Sequence, residues 1–170
     1  MAEFVSIPVG SLKDNVFSAI GDQWMLITAS KPDGTFNTMT ASWGGLGILW
    51  NKPVAFTFIR PQRYTYEFSE AGEYATLSFF DASMRQALTF CGRQSGRNVD
   101  KINACGLTPV TDKKGTYFEE ARLVLRVRKL YADDLKECCF IDKAQLAHYE
   151  KKDFHRVYIS EIEEVLQKNK

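Results

Sequence analysis

Short runs of β type, each closed by turn residues, dominate this sequence, and few architectures accommodate so many of them. "QWMLITAS" (23 to 30) is apolar and β-rich, and "KPDGT" behind it carries Pro early and Asp33-Gly34 late, the composition of a turn. The chain returns through "NTMTASWGG" (37 to 45), where Thr38, Thr40 and Ser42 alternate with Met39, Ala41 and Trp43. Side chains alternate across an extended backbone, so this segment sends hydroxyls to one face and apolar groups to the other. The two runs predict a hairpin. "PVAFTFIR" (53 to 60) is apolar on both faces up to Arg60, the pattern of a central strand covered on both sides.

Further strands are predicted at "EYATLSFF" (73 to 80), "ARLVLRVRKLY" (121 to 131), "ECCFIDK" (137 to 143) and "FHRVYISEIEEV" (154 to 165). In the second of these, Leu123, Leu125 and Val127 share one face and Arg122, Arg126 and Arg128 the other, which predicts a half-exposed strand with a solvated arginine stripe. Short helices fit between the strands. One takes Thr65 as N-cap and stops at Gly72; a second covers "DASMRQALTF" (81 to 90), ending in the loop "CGRQSGRN"; a third lies in "VDKINACGL". "LQKNK" reads as a frayed polar tail. No repeat or linker divides the 170 residues, so residues 1–170 are expected to form a single domain. The fold class is mainly β with short helices (α+β), most economically a closed or partly closed antiparallel barrel.

Charge narrows the partners. Twenty-two Lys and Arg against 21 Asp and Glu leave a net +1, so no excess of positive charge points to nucleic acid, and an oligonucleotide-binding barrel is disfavoured. There is no uninterrupted apolar run of the roughly 18 residues that a membrane-spanning helix needs. "MAEFVSIPVGSLKDN" lacks the basic start and apolar core of a signal segment, and Cys91, Cys105, Cys138 and Cys139 show no C-x-x-C spacing. A cytoplasmic protein with reduced thiols is expected, with no metal, no membrane and no nucleic acid. Cys91 is expected to be a small buried thiol at a helix end.

"RPQRYT" (60 to 65) sets Arg60 and Arg63 around a proline turn, with Thr65 where a helix starts. A guanidinium fork matches phosphate oxygens, and a helix start offers free N–H groups. A phosphate site is one reading; solvated surface charge is the other. The hydroxyl-rich segment can present backbone groups to a planar ring, or it can be the outer face of an edge strand. Trp43 and Trp50 serve as well in a core as at a site. Neither His148 nor His155 falls in a Ser/His/Asp or Cys/His pattern.

Read together and in order, "NTMTASWGGLGILWNKPVAFTFIRPQRYT" and "CGRQSGRNVDKINACGLTP" resemble the flavin reductase-like family of FMN-binding split barrels, which includes the flavoredoxins. The similarity runs from about Trp24 to Ile162. It implies an antiparallel six-stranded FMN-binding split barrel, a homodimer holding FMN non-covalently near the subunit interface, with NADH or NADPH as co-substrate. By the same resemblance Asn37, Thr38, Thr40, Ala41, Ser42 and Trp43 lie along the flavin. Arg60, Arg63, Tyr64 and Thr65 surround the phosphate and ribityl chain, and Ser95, Gly96 and Arg97 approach from the other side. His155 is placed to touch flavin or nicotinamide as the one candidate catalytic residue; a plain strand histidine is the alternative. The chain departs from the family's terminal pattern in having Ser160 where Gly is usual. The activity implied is an NAD(P)H-dependent flavin oxidoreductase delivering electrons to free flavin, iron or a protein acceptor. The alternative is a non-catalytic FMN electron-transfer protein, since a fold and its cofactor site do not fix activity.

Overall fold

The computed structural model describes residues 3–169. In chain order the strands are β1 (Phe4–Ile7), β2 (Met25–Ser30), β3 (Phe36–Ala41), β4 (Gly44–Leu49), β5 (Lys52–Ile59), β6 (Tyr74–Phe79), β7 (Pro109–Asp112), β8 (Gly115–Phe118), β9 (Leu123–Asp134) and β10 (Arg156–Lys168). Among the described residues three α-helices accompany them: α1 (Tyr64–Ala71), α2 (Arg85–Arg93) and α3 (Lys101–Cys105).

All strand pairs are antiparallel, and the main sheet runs β3-β2-β6-β9-β10-β5-β4. Its two ends, β3 and β4, follow one another in sequence with only Ser42 and Trp43 between them. That short link dictates the shape. Six strand spacings laid flat would separate the ends by about 29 Å, whereas the three residue steps from Ala41 to Gly44 reach at most about 11 Å. The sheet therefore has to curl round, and because β3 and β4 are not paired the barrel stays split along that seam. The six strands β3, β2, β6, β9, β10 and β5 meet the sequence expectation; β4 extends the row and β1 adds to the far half of β10. Residues Arg156 to Glu161 of β10 pair with β5, while Val165 to Lys168 pair with β1.

Alternation along each strand divides the core. Met25 and Ile27 of β2, Met39 and Ala41 of β3, and Leu123, Leu125 and Val127 of β9 fill the barrel interior with Phe79, Ile162 and Val165. Leu26, Val124 and Phe80 face outward and are covered by Leu88 and Cys91 of α2 and by Tyr117 and Phe118 of β8. The turn from α1 into β6 needs Gly72, since a Cβ there would stand 2.0 Å from the Ser30 carbonyl oxygen.

Several expectations are corrected by this arrangement. Arg126 is buried rather than solvated: the β7–β8 hairpin, not anticipated from the sequence, covers it, Asp112 and Glu164 pair with it, and its guanidinium lies 5.1 Å from the Tyr117 ring centre. Arg128 likewise pairs with Glu161 and Glu163, and Arg122 with Asp14. "ECCFIDK" is a single 3-10 turn, Glu137–Cys139, followed by a bend, not a strand. β10 continues through Leu166, Gln167 and Lys168 because β9 pairs with the first two and β1 with all three, so these residues are not a frayed tail. Helix α2 runs three residues past Phe90. Among the described residues no helix is long and apolar enough to cross a membrane.

Candidate functional site

Two hollows flank the start of α1. The first, about 250 Å³, lies where the end of β3 and the Ser42–Trp43 corner meet the end of β5 and the head of β10; Ser42, Trp43, Phe58, Arg60, Arg63 and His155 line it, with Thr40 and Ala41. The second, an open groove of about 500 Å³, is lined by Asn37, Thr38, Tyr64, Gly96, Arg97 and Lys101, among others. β3 joins the two. As the last strand in the row, its edge away from β2 carries no neighbouring strand among the described residues.

The hydroxyl face of β3 turns out to be largely internal. Thr38 Oγ1 accepts from Thr28 at 2.9 Å and donates to the Ile27 carbonyl, and Thr40 donates to the Leu88 carbonyl. Ser42 alone of the three makes no side-chain hydrogen bond among the described residues, so the strand's offer to a ligand is its free backbone edge and this one hydroxyl. Asn37 ties the strand to α1 by donating to Thr65 Oγ1 at 2.7 Å. Thr65 is thus buried in the second helical position, and the N-cap expected of it belongs to Arg63, whose backbone is extended (φ −68°, ψ 130°). Gly96 packs so closely on Asn37 that a Cβ would stand 2.1 Å from its Oδ1.

The cations differ in how far they are already engaged. Arg60 donates to Asp153 at 2.6 Å and to the His148 carbonyl at 2.9 Å. Arg97 pairs with Glu67, donates to the Gln62 carbonyl, and lies over the Tyr64 ring. Ser95 Oγ accepts from the Arg97 N–H, closing the loop behind the groove. Arg63 is different. Its Nη1 donates to the Gly92 carbonyl at 2.8 Å, while its Nη2 is buried with no partner. Beside it is Lys101, 4% exposed, whose ammonium donates, among the described residues, only to the carbonyls of Thr38 (2.6 Å) and Cys91 (3.2 Å). Burial first, with the Arg63 charge adding to it, pushes the Lys101 amine down to about 8. Carbonyl dipoles solvate a cation only partly, so a buried ammonium beside a half-buried guanidinium with one orphaned donor leaves a deficit of negative charge here.

Sequence alone does not mark Lys101 as a site residue. Asp100 caps α3 by accepting from the N–H groups of Ile102 and Asn103, which the sequence pattern does suggest, but nothing local shows that the next side chain folds back under β3.

His155 closes the smaller hollow. It is buried, its ring lies 5.3 Å from that of Trp43, and its Nδ1 is 2.8 Å from the Tyr149 hydroxyl. Burial, reinforced by the nearby Arg60 charge, pushes its pKa down to about 4, so the imidazole is neutral at pH 7. His148 also packs edge-on against Trp43. Cys91 is fully buried at the end of α2, and burial pushes its thiol up to about 12, which suits packing rather than nucleophilic work. Among the described residues no group of three or more His, Cys, Asp or Glu could hold a metal ion.

A split antiparallel barrel with a cationic, partly unsatisfied hollow beside the seam defines a class of small ligand-binding barrel. The chain belongs to the flavin reductase like domain family, whose model matches residues 17–169. Solved structures agree on the fold. The FMN-binding domain of a flavin reductases-like enzyme from Shewanella baltica OS155 superposes with a TM-score of 0.69 at 12% identity, covering 98% of this chain and 78% of that one. Flavoredoxin of Desulfovibrio vulgaris (Miyazaki F) gives 0.66 at 21% identity, covering 95% and 75%. An FMN-binding protein from Thermus thermophilus gives 0.65 at 19%, covering 94% and 77%. No curated protein matches the chain significantly.

Proposed function

We propose that this chain is an FMN-binding, NAD(P)H-dependent flavin oxidoreductase, cytoplasmic and homodimeric, that passes electrons from a nicotinamide through non-covalently bound FMN to free flavin, iron or a protein acceptor. The observation that carries the reading is a pair of cations drawn in from solvent: half-buried Arg63 with its buried, orphaned Nη2, and buried Lys101 with only carbonyls as partners among the described residues. A phosphate is the group such a pair lacks. When bound, FMN supplies the hydride and electron-transfer chemistry, so no protein nucleophile is required.

The residues of the chain bind and orient. Arg63 and Lys101 hold the phosphate. Tyr64 and Thr65 shape the ribityl path, with Thr65 already committed to Asn37. The free edge of β3 from Asn37 to Ala41, with Ser42 just beyond it, offers backbone donors and acceptors to the ring, and Trp43, 46% exposed at the mouth, limits water. Gly96 and Arg97 border the same groove from the opposite loop. Arg60 acts indirectly: tied to Asp153, it lies 5.1 Å from the Tyr149 ring centre and steadies the His155 corner. A second copy is supported by β4, a free sheet edge with Ile48 73% exposed, and by Trp50, 55% exposed in the turn beyond it.

The test compares FMN with riboflavin, which has the ring and ribityl chain but no phosphate. A charged hydrogen bond contributes about 1.5 to 3 kcal/mol, so Arg63→Ala should weaken FMN binding roughly tenfold to a hundredfold and leave riboflavin nearly unchanged. Fluorescence-quenching titrations give the four affinities, and equal losses for both ligands would end the phosphate role.

A non-catalytic FMN electron carrier is favoured by the size of the smaller hollow. About 250 Å³ in one chain offers little room for a nicotinamide stacked on a flavin ring. Anaerobic addition of NADH or NADPH decides between the two readings, since bleaching of the flavin absorbance requires hydride transfer.

A further inference from the structure

We propose that Tyr149 is a positioning residue for His155: its hydroxyl donates to Nδ1, which puts the imidazole's one N–H on Nε2, at the wall of the Ser42–Trp43 hollow, as a neutral hydrogen-bond donor for the carbonyl-bearing edge of a flavin ring. The proposal rests on the flavin reading above and adds to it the identity and state of a donor.

Tyr149 is held firmly. It ends the 3-10 turn Lys143–Tyr149, its ring stacks on Phe154 at 4.9 Å and 23°, and the Arg60 guanidinium lies 5.1 Å from its centre. Arg60 is itself fixed by Asp153 and by the His148 carbonyl. The phenol oxygen then sits 2.8 Å from His155 Nδ1, with both side chains buried. Chemistry assigns the proton. Among the described residues that hydroxyl has no other hydrogen-bond partner, so if Nδ1 were the donor the phenol O–H would be left without an acceptor. With the phenol donating, both groups are satisfied and the ring proton falls to Nε2. Nothing among the described residues bonds Nε2, and His155 lines the hollow.

Burial above all keeps the ring neutral. The Arg60 charge also opposes a second proton, Asp153 alone favours one, and the pKa is pushed down to about 4. Burial also raises the Tyr149 phenol, which stays protonated and able to donate at neutral pH. A neutral donor aimed at ring carbonyls strengthens as charge accumulates on the ring, which is one way a protein tunes a bound flavin.

Long-range ¹H–¹⁵N spectra of the imidazoles in the flavin-free wild-type chain test the assignment directly. The expected result at pH 7 is His155 as the Nε2–H tautomer, and the Nδ1–H tautomer would overturn the proposal whether or not any variant folds. Tyr149→Phe keeps the stack on Phe154 and removes only the hydroxyl; His155 should then become a mixture of tautomers, and FMN and riboflavin affinities should fall together by about threefold to tenfold. An unchanged tautomer in Tyr149→Phe would also overturn it, because the hydroxyl would not be setting the proton. A wild-type chain with the expected tautomer that binds neither flavin would overturn the donor's assigned ligand while the Tyr149–His155 relation stood.

Discussion

Two walls of the site, one formed by β3, α1 and α3 and the other by the Ser42–Trp43 corner and β4, are in different states of completion. On the first, Asn37, Thr38, Thr40, Thr65 and Lys101 all have partners within the chain, and the bare groups are the Arg63 Nη2 and, within α1, the Ser69 hydroxyl. On the second, Trp43, Ile48 and Trp50 stand exposed and the outer edge of β4 is unpaired. The β4–β5 turn even holds Trp50 and Asn51 at φ 52° and 58°, a left-handed pair that asparagine tolerates and tryptophan does not favour. Local strain of that kind costs about 1 to 2 kcal/mol for an L-residue and persists where something else rewards it. The difference separates two modes of failure. Damage to the first wall should act in every molecule alike, whereas damage to the second should act through assembly and so depend on protein concentration.

The largest expected effect falls on the completed wall. Lys101→Met removes a buried positive charge, and FMN affinity should drop by roughly tenfold to a hundredfold, again with riboflavin as the insensitive control. The flavin-free chain gives an independent readout. Unfolded, Lys101 keeps its proton up to the ordinary value near 10.5, while folded it keeps it only to about 8. The unfolded state therefore binds more protons between those values, and stability should climb with pH across that window. Urea titrations from pH 7 to 10.5 should show this rise in the wild type and lose it in Lys101→Met. Identical pH profiles would mean that the amine is not buried as a cation, and the contrast between the walls would weaken.

The open wall should respond next. Ile48→Glu places a charge on the exposed edge strand, where it costs little in a monomer and much against an apolar partner surface. The dimer dissociation constant should rise by at least tenfold, and FMN occupancy should then depend on protein concentration. Sedimentation velocity measures both when flavin absorbance is followed alongside the protein. A variant that stays dimeric, with occupancy independent of dilution, would place the second copy elsewhere and break the comparison.

How much of this was legible in the sequence depends on where the deciding partner lies. The β2–β3 hairpin, β5 and β6 show in local alternation and turn residues, because their own side chains settle which face is buried. "ECCFIDK" has the composition of a strand but no place in the ladder: β9 and β5 already occupy both sides of β10's first half, and Ile141 projects into solvent. "LQK" has a polar tail's composition yet is a strand, because β1, more than 150 residues earlier, pairs with it. The buried Arg126 was hidden in the same way by the β7–β8 hairpin. At the candidate site, β3 and the Arg63 turn were legible through the order of their motifs. Lys101 and Tyr149 were not, since a lysine or a tyrosine in a polar stretch is by default at the surface, and only the fold brings one under β3 and the other onto His155.

The effect most overlapped by other titrations comes from His155, beside the Trp43 corner. An imidazole held near pKa 4 in the folded state and near 6.5 when unfolded makes the unfolded chain the better proton acceptor between those values. Stability should consequently fall as pH drops from about 6.5 to about 4, with this one site contributing a slope of at most about 1.4 kcal/mol per pH unit. His155→Gln keeps a polar, uncharged side chain in the hollow and should flatten that part of the acid limb while leaving the profile above pH 7 unchanged. Carboxylates titrate in the lower part of the same range, so the difference between wild type and variant is the quantity to follow. Repeating the pair at low and high protein concentration connects the result to assembly. If a second copy covers Trp43 and the corner beside it, dimerisation should bury His155 further, move its titration lower still, and deepen the difference at high concentration. A difference that ignores concentration would mean that the chain alone sets this environment, and His155 would belong with β3 and α1 on the completed side.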